Sequence, residues 1–205
     1  MQLLSLSGAV IGGIVGGVVG LLVVIIVVWY ITTHNSLIGL KNDAEESFSA
    51  MDVQLKKRYD LIPNLVEVCK GYAKHESETF IRVTEARNAA MGLMSSGGKK
   101  ASSADRIAAE RELSSSLQTL LNFVKESYPQ LKADAQFNSL SNKLSQIEEE
   151  IARSRNYYNA KIKILNNKIE RFPSSIVARK MQLERRAYFE LDNVQERVAP
   201  KVSFD

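Results

Sequence analysis

Cysteine, histidine and proline are all scarce in this chain of 205 residues. The single cysteine, Cys69, excludes an internal disulfide, and with His34 and His75 it gives no metal-ligand spacing. Cys69 and His75 also fall on opposite sides of one predicted helix, which does not suit a nucleophile and its base, so Cys69 is predicted to be a small core residue. Only four prolines interrupt the chain, so long helices are favoured.

A strong excess of one charge is also missing. The formal net charge is +4, and no aromatic residues alternate with Lys or Arg as a nucleic-acid stacking platform requires. The sequence contains no Gly-rich phosphate loop, nucleophile elbow or paired-carboxylate motif. We therefore expect no enzyme activity, no catalytic, cofactor or metal site, and neither nucleic acid nor a small-molecule substrate as a partner.

A long apolar segment lies near the N-terminus instead. From Gly8 to Ile31 there are 24 residues without a charge, which as a helix would cover roughly 36 Å and cross a hydrocarbon core of about 30 Å. Trp29 and Tyr30 stand at its end, where aromatic rings anchor a helix at the headgroup level. Because no basic residue precedes it and it is longer than a signal-peptide core, we predict a retained transmembrane helix.

Basic residues predict the orientation of this helix. Lys41, Lys56, Lys57 and Arg58 follow the apolar segment, and no basic residue precedes it. By the positive-inside rule, the N-terminus is expected outside and the C-terminal helical domain in the cytoplasm, with the chain crossing the cell membrane once.

Glycines form a regular stripe along the same segment. Residues four apart drift only about 40° around a helix, so such a stripe stays on one face and lets two helix backbones approach closely in lipid. We predict self-association into a homo-oligomer; the alternative is that glycine is simply common in membrane helices. The stripe consists of Gly8, Gly12, Gly16 and Gly20, widened by Gly13 and Gly17.

Apolar residues at steps of three and four predict three further helices. The first runs from Leu37 to Ala90 with a kink at Pro63, the second from Ser103 to Ser127, and the third, close to a heptad rhythm, from Phe137 to Ile169. The fold prediction is all-α: an N-terminal single transmembrane helix followed by an elongated antiparallel bundle of long helices with coiled-coil-like packing. The expected boundaries are 1–7 (short N-terminal segment), 8–31 (transmembrane helix), 32–173 (bundle) and 174–205 (tail with a short amphipathic helix).

Three polar clusters have competing interpretations. Asp52 and the run from Lys56 to Asp60 are expected on a solvated face, with Asp52 paired to Lys56; the alternatives are contact with a neighbouring subunit or a role in fixing the geometry at Pro63. Glu148, Glu149, Glu150, Arg153 and Arg155 are also expected on a solvated face. The late basic residues are expected to be solubilising, with anionic headgroups as the alternative ligand. Three helices of alternating direction would end far from the membrane, which argues against headgroup contact. These basic residues are Lys161, Lys163, Lys168, Arg171, Arg179, Lys180, Arg185 and Arg186.

Several stretches together resemble the LemA family. They are residues 52–66 (DVQLKKRYDLIPNLV), 71–76 (GYAKHE), 84–87 (TEAR), 128–133 (YPQLKA), 171–173 (RFP) and 199–202 (APKV). The resemblance implies a bacterial or archaeal membrane protein with an N-terminal anchor and a bundle of long antiparallel helices, and it offers no established catalytic residues. The candidate site at the signature and helix kink comprises Gln54, Arg58, Tyr59, Asp60, Pro63 and Asn64.

These features predict a non-enzymatic, membrane-anchored helical scaffold of the LemA type that self-associates and organises a membrane patch or a partner complex. The alternative is a membrane-bound regulatory or sensory adaptor for a cytoplasmic partner such as a protease or kinase. The expected partners are the lipid bilayer, further copies of the chain and an unidentified protein.

Overall fold

The computed structural model describes residues 2–73, 77–95 and 103–189, and every regular element in these ranges is an α-helix. The all-α prediction is therefore confirmed. Two features named above lie outside the described residues: His75 and residues 199–202. The helices are α1 (Gln2–Tyr72), α2 (Ser77–Ser95), α3 (Ser103–Ser127), α4 (Pro129–Lys132), α5 (Ala135–Glu170) and α6 (Ser174–Lys180).

The first predicted helix is in fact two helices. α1 continues through Pro63 but ends at Tyr72, where the amide of Ala73 donates to the Cys69 carbonyl at 3.0 Å, and α2 begins at Ser77. Gly71, a residue that weakens helices, lies just before this end. The buried positions continue in helical phase into α2 with Phe80, so periodicity alone did not reveal the break.

The chain divides into two compact units, and the larger comprises residues 46–162 and 187–205. In it, α5 runs antiparallel to α1: the Phe48 ring lies 5.3 Å from the Tyr158 ring, and the Tyr72 hydroxyl donates to Asp134 at 2.9 Å. The early part of α1 in this unit therefore packs against the late part of α5, and the end of α1 lies near the start of α5.

Two more helices complete the bundle of the larger unit. α2 contacts α1 where Arg87 Nε donates to the Tyr59 carbonyl at 2.8 Å, and α3 does so where Arg106 lies 2.5 Å from Asp52. Burial of the predicted apolar stripes accounts for this assembly, because each helix turns its apolar face inward. Core side chains with at most 3% exposure include Leu55, Ile62, Leu65, Val83, Leu113, Leu117, Leu120, Leu144 and Ile151.

The smaller unit comprises residues 1–45 and 163–186. Its core is Leu37 packed against Val177 and Ala178 of α6; the partly buried residues around them are Trp29, Tyr30, Ile169, Met181 and Leu183. The end of α5 and all of α6 therefore lie beside the end of the apolar segment. The prediction that the last long helix ends far from that segment is wrong, because the break at Tyr72 adds one reversal of chain direction.

A Schellman motif ends α6. Gln182 adopts φ 54°, its amide donates to the Arg179 carbonyl at 3.0 Å, and the Leu183 amide donates to the Ala178 carbonyl at 3.0 Å. The apolar contact that usually accompanies this motif is also present, since Leu183 packs on the same core as Ala178. The motif turns the chain back along α5.

Two asparagines of α5 then hold the returning backbone. In the smaller unit, Asn166 donates to the Arg186 carbonyl at 2.9 Å and accepts from the Arg186 amide at 3.0 Å. In the larger unit, Asn159 makes the same pair of bonds to Phe189, at 3.0 and 2.8 Å. A side-chain amide here replaces the backbone partner that an extended segment lacks beside a helix.

Candidate functional site

The glycine stripe lies bare along α1. At Gly12, Gly13, Gly16, Gly17 and Gly20, an added Cβ would find no described atom of a neighbouring element within 4 Å. The apolar side chains around them are about half exposed or more, so no other described part of the chain covers this segment. Gly8 lies in α1, but its surroundings fall outside the described part of the chain.

The two aromatic residues at the end of the segment are half-buried against the smaller unit's core. The Lys180 ammonium lies 5.4 Å from the centre of the Tyr30 ring. The His34 ring stacks on the Tyr30 ring, with 6.2 Å between the ring centres. Trp29 packs against the cluster centred on Leu37. The structure thus places α6 beside Trp29 and Tyr30, where the sequence predicts the bilayer boundary.

A second site, which we call the Arg58 cluster, lies inside the larger unit and consists of Arg58, Tyr59, Glu110, Ser114 and Glu148. Arg58 and Tyr59 are at most 1% exposed. One guanidinium nitrogen of Arg58 donates to Glu110 and the other to Ser114 and Glu148, each at 3.0 Å, while the Tyr59 hydroxyl also donates to Glu110. Three helices are therefore joined by one buried cation.

Burial and charge act against each other in this cluster. Burial lowers the pKa of Arg58, but the carboxylates of Glu148 and Glu110 outweigh it, so the pKa is raised and Arg58 is a cation. Burial also raises the pKa of Glu110, although Arg58 and the Tyr59 hydrogen bond oppose that rise. The pKa of Tyr59 is raised by burial and by the facing Glu110. Among the described buried side chains, Nε of Arg58 has no hydrogen-bond partner.

A related ion pair flanks the cluster. Arg106 lies 2.5 Å from Asp52 and 4.5 Å from the centre of the Phe48 ring. Burial raises the pKa of Asp52, while Arg106 lowers it. The expected Asp52 to Lys56 pair is wrong, and so is the solvated face for Arg58 and Tyr59, because these side chains point to α3 and α5 rather than to water.

The other signature residues lie on the outside of α1. Asp60, Pro63 and Asn64 are exposed, and Gln54 is half-buried. Pro63 borders an open cleft of about 460 Å³, whose lining residues are Ile62, Pro63, Val66, Glu67, Lys70, Thr84 and Arg87. The signature therefore has one buried part, at Arg58 and Tyr59, and one exposed part.

Sequence reasoning missed the partners of Arg58 on the other helices. Glu110 stands three residues before Leu113, and Glu148 stands four after Leu144 and three before Ile151, so both are in phase with buried apolar positions. A carboxylate in an apolar stripe was the available signal, since it needs a buried cation. Glu149, Glu150 and Arg153 do form exposed pairs, as expected for that face.

The Arg58 cluster is suited to fixing the packing of helices rather than to chemistry on a substrate. Arg58 and Glu110 face each other in the core, and Glu148, whose side chain is 39% exposed, pairs with Arg58 from the edge of the core. Such a network specifies one arrangement of its helices when its members are paired. Among the described residues, no group of three or more His, Cys, Asp or Glu side chains is placed to hold a metal ion.

Fold and site together define a helical-bundle protein with a bare apolar N-terminal helix that is long enough to cross a membrane. A sequence model of the LemA family matches residues 47–204. Protein LemA of Metamycoplasma hominis is 26% identical over 169 residues, which cover 81% of this chain and 73% of that protein. The chain belongs to the LemA family.

Proposed function

We propose that this protein is a non-enzymatic, membrane-anchored scaffold whose copies associate through the transmembrane helix and so gather their helical bundles. The observation that carries this proposal is the bare glycine stripe from Gly12 to Gly20. Helices in lipid associate by close packing and not by the hydrophobic effect, so a smooth face between bulky residues is where two backbones approach. The chain itself leaves that face unoccupied in its described part.

The anchor and its orientation are part of the proposal. The apolar part of α1 crosses the cell membrane once, the N-terminus lies outside and the bundle lies in the cytoplasm. Two sets of basic residues support this orientation by the positive-inside rule: Lys41 with residues 56–58, and those of residues 163–186, which pack beside the same end of the apolar segment.

A scaffold role also fits the chemistry of the bundle. The ionisable groups of the Arg58 cluster are engaged with each other, and Arg58, Tyr59 and Glu110 are buried. The cleft at Pro63 is an open groove on the outside of the helices. The bundle thus offers rigid helices for assembly, because the ion pairs of the Arg58 cluster hold those helices in place.

The test replaces glycines of the stripe in the full-length chain. Gly12→Ile with Gly16→Ile adds bulk at the proposed contact and is expected to reduce the oligomer to smaller species, measured by light scattering in mild detergent and by cross-linking in membranes. The matched control, Val18→Ile with Leu22→Ile, adds no comparable bulk and lies on the opposite face of the helix. An unchanged oligomer size in the glycine variant would refute association through the stripe.

An adaptor for a cytoplasmic protein is the second candidate. The observation that favours it is the exposed part of the signature at Asp60, Pro63 and Asn64, which internal packing of the bundle does not require. Asp60→Ala with Asn64→Ala is then expected to leave the helix content and oligomer size unchanged but to abolish a specific cross-linked product in cells. A cross-link pattern identical to that of the wild type would refute this role.

A further inference from the structure

The turn between α5 and α6 carries an exposed surface that mixes apolar and basic side chains. We call it the Phe172 patch; it consists of Arg171, Phe172, Ile176, Arg179 and Lys180. Phe172 is 82% exposed and Ile176 is 58% exposed, and the three basic residues are exposed as well. Exposed apolar side chains that lie together and are rimmed by polar residues are typical of a surface that binds a protein or a membrane.

The packing of α6 fixes which way the patch faces. Ser174, Val177 and Ala178 form the buried face of α6, so Ile176 and Arg179 lie on the opposite face. Lys180 lies on the flank, where its ammonium is near the Tyr30 ring. The Ser174 hydroxyl lies 2.7 Å from the Lys168 carbonyl and 2.8 Å from the Arg171 carbonyl, which holds the turn. The fold of the smaller unit thus fixes the orientation of the Phe172 patch.

The position of the Phe172 patch along the axis of α1 matches the expected position of the lipid headgroups. The α1 residues that pack around α6 run from Trp29 to Leu37, and eight residues of helix rise about 12 Å. The headgroup layer on each side of a bilayer is about 5 to 8 Å thick. If the hydrocarbon ends near Trp29, as the anchor proposal has it, then α6 lies within and just beyond the headgroup layer.

The charge of this part of the chain fits anionic lipid. Residues 163–186 hold seven basic and two acidic residues, a net charge of +5, whereas the whole chain carries +4. Of the two acidic residues, Glu170 is paired with Arg185 at 3.6 Å and Glu184 is exposed. Basic residues flanking exposed apolar ones are the composition of segments that lie in the membrane interface.

We propose that the Phe172 patch inserts Phe172 and Ile176 into the interface of the bilayer that α1 spans, while Arg171, Arg179 and Lys180 bind anionic lipid headgroups. This inference rests on the proposed membrane anchoring. It gives the protein a second, lipid-dependent attachment that fixes α6 at the membrane surface.

Tryptophan fluorescence of the full-length protein in vesicles tests both the anchoring of α1 and the insertion of the Phe172 patch, because Trp29 is the only tryptophan. In the wild type, Trp29 reports anchoring. In Trp29→Phe with Phe172→Trp, the new tryptophan reports the patch; in Trp29→Phe with Ile81→Trp, it reports an exposed apolar position of the larger unit. The vesicles are phosphatidylcholine with or without about one third phosphatidylglycerol, plus spin-labelled lipid as the quencher.

We expect strong quenching of Trp29 and of the tryptophan at position 172, with the latter shifted to the blue by phosphatidylglycerol, and little quenching at position 81. Each of Arg171→Gln, Arg179→Gln and Lys180→Gln is expected to weaken phosphatidylglycerol binding about fivefold. These positions are exposed, and helix content by circular dichroism checks folding.

Quenching at positions 29 and 172 distinguishes a failure of the anchor from a failure of the Phe172 patch. Unquenched Trp29 would overturn the anchoring itself. Quenched Trp29 with an unquenched tryptophan at position 172 would overturn the patch and leave the anchor standing. Equal emission at position 172 in both vesicle types, or no effect of the three Gln variants, would overturn the binding of anionic headgroups.

Discussion

Arg58 is a buried cation that joins three helices of the larger unit. It is fully buried, contacts Glu110 on α3 and Glu148 on α5, and so ties together the three helices that contribute to its cluster. Burying a charge is costly unless its partners are close, so the cost of removing one partner far exceeds the net benefit of the pair.

Arg58→Met is expected to destabilise the protein by about 3 to 5 kcal/mol, because it leaves Glu110 buried without its cation. Thermal unfolding of the full chain in detergent, followed by circular dichroism, measures this. Adding Glu110→Met should restore at least half of the loss, since an apolar pair of similar volume removes the unpaired charge.

The control for this change is the exposed neighbour Lys57. Lys57→Met is expected to alter stability by no more than about 0.5 kcal/mol. If Arg58→Met unfolded at the same temperature as Lys57→Met, the cluster would have no part in stability.

Cys69 gives a second prediction at this scale. Burial raises the pKa of its thiol to about 11 from an ordinary value of 9.0. That difference of about two pH units means about a hundredfold less thiolate near pH 8 than in the unfolded chain. Since the folded pKa is the higher one, the contribution of Cys69 to stability is complete below pH 9 and is lost as the pH rises through about 11.

Iodoacetamide at pH 8 is therefore expected to label the native full-length protein slowly, with full labelling in denaturant, as measured by mass spectrometry. The same reaction on the denatured chain supplies the reference rate. Labelling of the native protein at the denatured rate would contradict the burial of this thiol.

At the scale of elements, the end of α6 shows how a short helix is made to stop at a defined point. Gln182 takes the left-handed conformation that glycine adopts without strain, and a non-glycine residue there costs about 1 kcal/mol or more. The motif persists because the two amide bonds and the burial of Leu183 outweigh that cost.

Gln182→Gly is accordingly expected to stabilise the α6 region by about 1 kcal/mol. Hydrogen exchange of residues 174–183 measures the effect as slower exchange. Gln182→Ala keeps a Cβ atom and serves as the matched control, with exchange close to that of the wild type. Faster exchange in the glycine variant would show that the left-handed turn carries no strain.

The break between α1 and α2 decides which elements meet. With this break, α5 runs antiparallel to α1 in the larger unit, and in the smaller unit the end of α5 and α6 pack beside Leu37. The additional reversal therefore brings the basic residues 163–186 beside Leu37 within the smaller unit.

At the scale of the whole molecule, the apolar helix is expected to dominate attachment to the membrane. A spanning helix is held far more firmly than any interfacial segment. The full chain should therefore stay with membranes through a high-salt wash, whereas a variant that lacks residues 8–28 should be released, because salt screens what its basic residues can bind.

Sedimentation of washed membranes measures this, and helix content of the released variant checks that its bundle is folded. Retention of that variant at high salt would place the main attachment elsewhere in the molecule.

The sequence by itself determined the helical class, the apolar segment and, within two residues, the bounds of α3 and α5, because these depend on local periodicity and on the residues that end helices. It also predicted the burial of Cys69 from its place in an apolar stripe. Lys56 and Arg58, by contrast, look alike in the sequence, yet one is exposed and the other lies in the core.

Only the tertiary structure decided that difference, because a buried charge depends on partners distant in the chain, Glu110 and Glu148. The same holds for the position of α6, which depends on how many times the chain reverses direction before α5 and not on any local pattern. Local energies select the helices, but the pairing of faces and charges between them is a long-range choice.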